Sequence, residues 1–164
     1  MKHIFVFNSV SGSKRKRKKF FEKVMETCKN ERLDYDIYFT QKSGDAFRYA
    51  SEIAASGQPV RFYGLGGDGT VNELASAVAH IPTAEFTAIP LGTGNDFIRN
   101  FGSKKDFFDL VSLIYGNSVE IDLIRVNESY CANVTNIGFD RRAVSAIMRL
   151  FSSTSATYAG TSTS

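Results

Sequence analysis

Gly64-Leu65-Gly66-Gly67-Asp68-Gly69-Thr70 is the stretch on which the fold of this 164-residue chain turns. Four glycines fall within six positions, directly after the apolar run Val60-Arg61-Phe62-Tyr63 and directly before a helical pattern that begins at Val71. A buried strand that ends in a glycine turn and opens a helix is the repeating unit of α/β proteins. Working outward, the same unit recurs. Residues 2–7 read as a strand ending in the polar turn 8–13, and a helix follows over 14–30 with Phe20, Phe21, Val24, Met25 and Cys28 at helical spacing. A strand over 34–39 precedes a helix over 44–55, for which Ser43 is the expected cap. After the helix over 71–79 comes a strand over 86–89, the glycine-bearing loop 90–95 and a helix starting near Asp96. Four strands alternating with helices predict an α/β fold, a parallel sheet with helices on both faces. Ligands of such sheets bind at the carboxyl ends of the strands, and the loops 8–12, 64–70 and 90–96 all follow strands. They are expected on one edge.

Beyond a helix over 106–115 the pattern changes. Residues 118–126 and 130–136 read as two strands joined at Asn127-Glu128, an antiparallel pair that starts something new. A short helix over 140–151 is expected next. Residues 152–164 are almost entirely Ser, Thr, Ala and Gly and are expected to be disordered. The resulting division is 1–117, 118–151 and 152–164.

With 43% hydrophobic residues the chain can bury a core, and its net charge of +3 is unevenly spread. Lys14-Arg15-Lys16-Arg17-Lys18-Lys19 is an unbroken cationic run. Cys28 and Cys131 belong to no Cys/His cluster, which argues against structural zinc. The first residues are too short an apolar run for a signal peptide, and no run approaches the roughly 20 residues needed to span a bilayer. A cytoplasmic protein with at most peripheral membrane contact is expected.

Formally, residues 64–69 match Gly-x-Gly-x-x-Gly. A carboxylate inside the loop argues against simple dinucleotide binding, because it repels a pyrophosphate unless a metal or proton intervenes. No Gly-Lys-Ser/Thr follows, so a P-loop is excluded. Small residues that let backbone amides approach phosphate, with the positive end of a helix behind them, fit better. Asp68 would then face a magnesium ion, directly or through water, or take a proton from an acceptor hydroxyl. The bland alternative is a tight turn with Asp68 as a solvated cap. In Leu91-Gly92-Thr93-Gly94-Asn95-Asp96, Thr93 is a candidate phosphate donor, against a plain capped loop. Asn8-Ser9-Val10-Ser11-Gly12, read alone, is as well explained as a polar turn.

Together these residues resemble the diacylglycerol kinase catalytic domain family, which includes bacterial lipid kinases and the sphingosine kinases. The resemblance rests on Gly66-Gly67-Asp68-Gly69-Thr70 with Asn72-Glu73, on Pro90-Leu91-Gly92-Thr93-Gly94-Asn95-Asp96-Phe97, and on Asn136-Ile137-Gly138-Phe139-Asp140. It implies an ATP-binding α/β domain followed by a β-sandwich domain, of which this chain would hold only the first strands, with the active site between them. Carried over, nucleotide contacts fall to Asn8, Ser9, Val10, Ser11, Gly12, Thr40, Gly66, Gly67, Asp68, Gly69, Thr70, Val71, Asn72 and Thr93. Asp68 is the implied catalytic or metal-linked residue, and Asp96 and Asp122 match acidic positions of a supporting metal–water network. Where the family has Asn-Pro in its first loop this chain has Asn8-Ser9, which should loosen the turn. Arg141-Arg142 stand where the family often has Ala. The family's further acidic residue and structural metal site have no counterpart, so the chain is expected to be incomplete.

The implied activity is ATP- and magnesium-dependent phosphorylation of a lipid hydroxyl, such as that of diacylglycerol, with weak or no turnover by this chain alone. A catalytically dead nucleotide-binding remnant and a soluble-substrate kinase of the NAD kinase type are the alternatives. For the cationic run, a solvated helix start competes with an anionic membrane surface, where each cation contributes about 1 kcal/mol. Nucleic acid is disfavoured, since no recognition motif accompanies the run. An open strand edge at 118–136 would favour a homodimer.

Overall fold

The computed structural model describes residues 1–126, 129–132 and 153–159. The expected helix over 140–151 and the motif at 136–140 lie outside the described residues.

Seven strands form one sheet: β1 (Lys2–Asn8), β2 (Tyr35–Thr40), β3 (Val60–Gly66), β4 (Ala84–Pro90), β5 (Ser118–Val126), β6 (Ser129–Cys131) and β7 (Ser153–Ala159). Their spatial order is β2-β1-β3-β4-β7-β5-β6. The first four run parallel, with Phe5 opposite both Ile37 and Tyr63 and with Leu65 opposite Ile89. β3 is buried along its whole length and β1 over Ile4, Phe5, Val6 and Phe7. Such unbroken burial follows when helices cover both faces.

The helices are α1 (Lys14–Asn30), α2 (Asp45–Ala54), α3 (Asp68–Val78) and α4 (Leu110–Tyr115). Each buries a stripe at helical spacing: Val24 and Cys28 on α1, Ala46, Ala50 and Ala54 on α2, Val71, Leu74, Ala75 and Val78 on α3. Ser13 caps α1 by accepting from the Lys16 amide at 3.3 Å. In place of a helix near Asp96 there is a single 3-10 turn, Phe97–Asn100, which sinks Phe97 and Ile98 into the core.

At the amino ends of the parallel strands, polar side chains are buried and matched. Arg61 forms an ion pair with Glu85 at 2.7 Å and donates to the carbonyls of Leu113, Ile114 and Gly116. A cation thus closes the carboxyl end of α4, where the helix dipole favours it. His3 Nδ1 lies 2.8 Å from the Tyr63 hydroxyl. Burial, and then the nearby Arg61, hold the His3 imidazole below its ordinary pKa, and burial raises the Tyr63 phenol. Burial likewise pushes the Cys28 thiol up to about 11, leaving it a poor nucleophile.

One expectation about the later part is corrected. The Ser/Thr-rich stretch is not disordered over 153–159: β7 lies between β4 and β5, with Phe86 opposite Tyr158 in parallel and Ser118 to Ile124 opposite Ala159 to Ser153 in antiparallel. A strand held by ladders on both sides does not need an apolar composition of its own. Within the stretch expected to carry an open edge, β5 is paired on both sides, by β7 and β6, and the edge falls to β6. Among the described residues the sheet ends at β6, three residues long, and at β2.

Candidate nucleotide site

At the carboxyl ends of β1, β3 and β4 the three loops meet. The loop after β4 is tied to the loop after β3 by the Gly92 amide, which donates to the Gly66 carbonyl at 2.9 Å. Asp68 makes the second tie: its Oδ2 accepts from the Asn95 amide at 2.7 Å and its Oδ1 from the Phe97 amide at 3.2 Å. A side chain at Gly92 would lie 2.8 Å from Gly67 Cα, and one at Gly94 2.7 Å from Asp68 Oδ2. The glycines are therefore required by contact between loops, not only by turn geometry. Gly12 has φ +68, and a Cβ there would strike the Leu91 carbonyl, so the first loop presses on the third as well.

Asn8 organises the first loop. Its Oδ1 accepts from the Val10 and Ser11 amides at 3.0 and 3.2 Å, and its Nδ2 donates to Thr70 Oγ1 at 3.0 Å. Ser9, in the place of the family's proline, donates its hydroxyl to the Thr40 carbonyl. That bond ties the turn to the end of β2, so the expected loosening is offset. Arg17, from the cationic run, donates to the carbonyls of Ser11 and Gly12 at 2.9 and 2.8 Å. The other five cations of the run are exposed.

Between these loops and the start of α2 lies a cleft of about 370 Å³, lined by Asn8, Val10, Ser11, Thr40, Gln41, Lys42, Ser43, Ala46, Gly67, Gly69, Thr70 and Glu73. α3 begins at Asp68; the Thr70 and Val71 amides donate to the Gly67 carbonyl at 3.0 and 3.2 Å, and the amides of Asp68 and Gly69 precede those first bonds of the helix. With the helix dipole behind them they present positive charge at the cleft.

Of the fourteen residues expected to meet a nucleotide, Asn8, Val10, Ser11, Thr40, Gly67, Gly69 and Thr70 line the cleft, and Ser9, Gly12, Gly66 and Asp68 stand in the loops behind it. Val71 is buried in the core, leaving only its backbone near the loop. Asn72 turns to the other side: its Oδ1 accepts from the Ala132 amide at 3.0 Å. There it lines a neighbouring cleft with Phe47, Glu73, Ser76 and Tyr130. Thr93 is exposed outside the cleft lining. Asp96 pairs with Arg99 at 3.0 Å, and Asp122 is exposed on β5 opposite Ser155 of β7. Among the described residues no three His, Cys, Asp or Glu side chains group to hold a metal.

Ser43 does not cap α2. Gly44 occupies the cap position at φ +82 with no side-chain bond, and the carboxylate of Glu73 on α3 accepts the amides instead. Glu73 stands in the motif string, but its partners are about 27 residues away in sequence, and nothing local announces them.

The profile of the diacylglycerol kinase catalytic domain matches residues 2–126. The chain belongs to that family. It is 36% identical over 119 residues to the protein named Probable lipid kinase YegS of Salmonella heidelberg, covering 70% of this chain and 40% of that one. It is 34% identical over 123 residues to the Yersinia enterocolitica protein named Probable lipid kinase YegS-like, covering 72% and 41%. The solved structure of a diacylglycerol kinase from Bacillus anthracis superposes with a TM-score of 0.61 at 25% identity, covering 79% of this chain and 47% of that one. The chain thus spans about 40% of the length of the curated relatives it matches. The four parallel strands with their helices are the architecture shared with the solved kinase, and the family is one of lipid kinases.

Proposed function

We propose that this chain supplies the ATP-binding part of a lipid kinase that transfers the γ-phosphate to a lipid hydroxyl, that of diacylglycerol or a related lipid. The observation that carries the reading is the convergence of three strand-end loops, held together by glycine contacts and by Asp68, around one cleft. Phosphoryl transfer is mostly positioning and charge stabilisation, which is what such a cradle provides. The positive end of α3 meets the phosphates, the loop ordered by Asn8 shapes the cleft beside them, and Lys42 adds a positive charge on a long stem. Thr40 forms part of the opposite wall. Magnesium, when bound with the nucleotide, neutralises charge developing on the transferred group. Asp68 fits a water-mediated contact to it: each of its oxygens accepts one amide, and a carboxylate offers about four lone-pair sites.

A bilayer-resident acceptor suits the cationic run of α1. Its exposed lysines would hold a cytoplasmic protein at an anionic surface, with about 1 kcal/mol per cation. Binding to phosphatidylglycerol vesicles should fade as salt shortens the Debye length. Equal binding to neutral vesicles would remove this part of the reading.

Nucleotide binding with little turnover by this chain alone is part of the proposal. The test is transfer of radiolabelled phosphate from ATP to diacylglycerol in mixed micelles, with NAD as a second acceptor. The expected result is little or no product from this chain, and lipid product when the remaining length of its relatives is appended, abolished by Asp68→Ala. Phosphorylated NAD in place of lipid would overturn the lipid reading. No product in either form would leave a nucleotide-binding remnant.

A further inference from the structure

Glu73 lies five residues beyond Asp68 on α3, about 7.5 Å along the helix axis. Its Oε1 accepts from the Gly44 amide at 2.9 Å, and its Oε2 from the Ala46 and Phe47 amides at 3.0 and 3.4 Å. These are the opening amides of α2, a helix with no side-chain cap of its own. A negative charge at that end is favoured by the helix dipole, and the bonds are charge-assisted. One helix therefore caps the other.

A second carboxylate works on the same segment. Asp45, buried, accepts from the Gln41 amide at 2.9 Å and pairs with Arg48 at 3.1 Å. The Gln41 amide, and then Arg48, hold its carboxyl below the ordinary range. The turn over 41–44 is thus fastened at both ends, by Asp45 and by Glu73. Thr40, Gln41, Ser43 and Ala46 form the cleft wall opposite Gly67, Gly69 and Thr70.

We infer that Glu73 is the positioning residue for the nucleoside part of the bound nucleotide: by capping α2 from α3, it sets the distance between the 40–46 wall and the glycine loop. The inference rests on the nucleotide reading of the cleft. Because α3 carries both the phosphate loop and Glu73, the two walls are referenced to one rigid element. Phosphates meet the glycine loop, so the wall that Glu73 holds is left for the nucleoside. Lys42, on a long flexible stem, keeps its reach to a phosphate when that wall shifts.

The test compares calorimetric dissociation constants for magnesium–ATP and for magnesium tripolyphosphate, which lacks the nucleoside, in the wild-type chain, Glu73→Gln and Glu73→Ala. Glu73→Gln, nearly isosteric, is expected to weaken ATP on the order of fivefold, as the usual loss of a helix cap implies, and Glu73→Ala more. Tripolyphosphate affinity is expected to stay within about twofold, since the amides that bind it are untouched. Equal weakening of both ligands would mean a merely structural role, and unchanged ATP affinity would mean none; either overturns the inference. So would a wild-type chain that binds ATP but not tripolyphosphate. A wild-type chain that binds neither removes the nucleotide reading itself. Failure of Glu73→Ala to fold leaves Glu73→Gln to decide.

Discussion

The two ends of the parallel sheet use polar side chains to opposite effect. At the amino ends, Arg61 pairs with Glu85 and bonds the end of α4, His3 meets Tyr63, and Ser118 donates to Glu85 at 2.9 Å, so these side chains bind one another and the frame. At the carboxyl ends, Asp68, Asn8 and Glu73 spend their side chains on the backbone amides of loops and of a helix start. The cleft lies there. Bonded polar side chains alone therefore do not mark the proposed site. What distinguishes it is that side chains tie loops together beside the first turn of α3, whose dipole favours an anion. The closed end maintains the frame, and the open end is the one proposed to bind.

That division can be broken from either side. Arg61→Met should have the largest effect on stability. It strands Glu85, whose side chain is only 15% exposed, and such losses cost about 3–5 kcal/mol. Chemical denaturation would show it, while ATP affinity of the folded fraction should match wild type. Gly92→Ala attacks the open end. Its Cβ would press on the Gly67 backbone, which cannot move aside as a side chain can. Overpacking of this kind costs about 1–3 kcal/mol, and nucleotide binding should fall far more than the melting temperature does. Asp68→Asn keeps one acceptor oxygen and loses the charge that two amides share, so a stability loss of about 1.5–3 kcal/mol is expected with weakened binding. If Arg61→Met altered ATP affinity as much as Gly92→Ala, the two ends would not be separable.

The smallest expected effect sharpens the comparison through pH. His3 titrates below its ordinary pKa in the folded chain, so below about pH 6.5 the unfolded chain binds the extra proton first. Its contribution is fully present above that pH and is lost as pH falls through the window toward the depressed folded value. Melting curves from pH 7.5 to 5.5 should show a fall that His3→Gln reduces. The same fall in both proteins would assign it elsewhere.

Much of this frame was legible in the residues. Strands β1 to β4 and the three loops are specified locally, by unbroken apolar runs and by glycines beside them. Glycines mark the converging loops because several are demanded by contact, Gly12 against Leu91, Gly92 against Gly67 and Gly94 against Asp68. Relations that cross the sequence were not legible. Ser43 has the right chemistry for a cap and lies beside the right position, but Glu73 reaches the amides from another helix. Asn72, two residues beyond the glycine loop, faces β6 because helical geometry turns adjacent side chains about 100° apart. Composition misjudged 153–159, since a strand between two partners is held by its backbone.

The central claim is that nucleotide binds at the open end of the sheet. Amide hydrogen exchange, with and without magnesium–ATP, tests it residue by residue. ATP should slow exchange at Gly67, Asp68 and Gly69 and in the loop ordered by Asn8, and leave the strand starts around Arg61 and Glu85 unchanged. Unaltered exchange at those glycine-loop amides under saturating ATP, or protection centred on the Arg61–Glu85 end, would contradict the account.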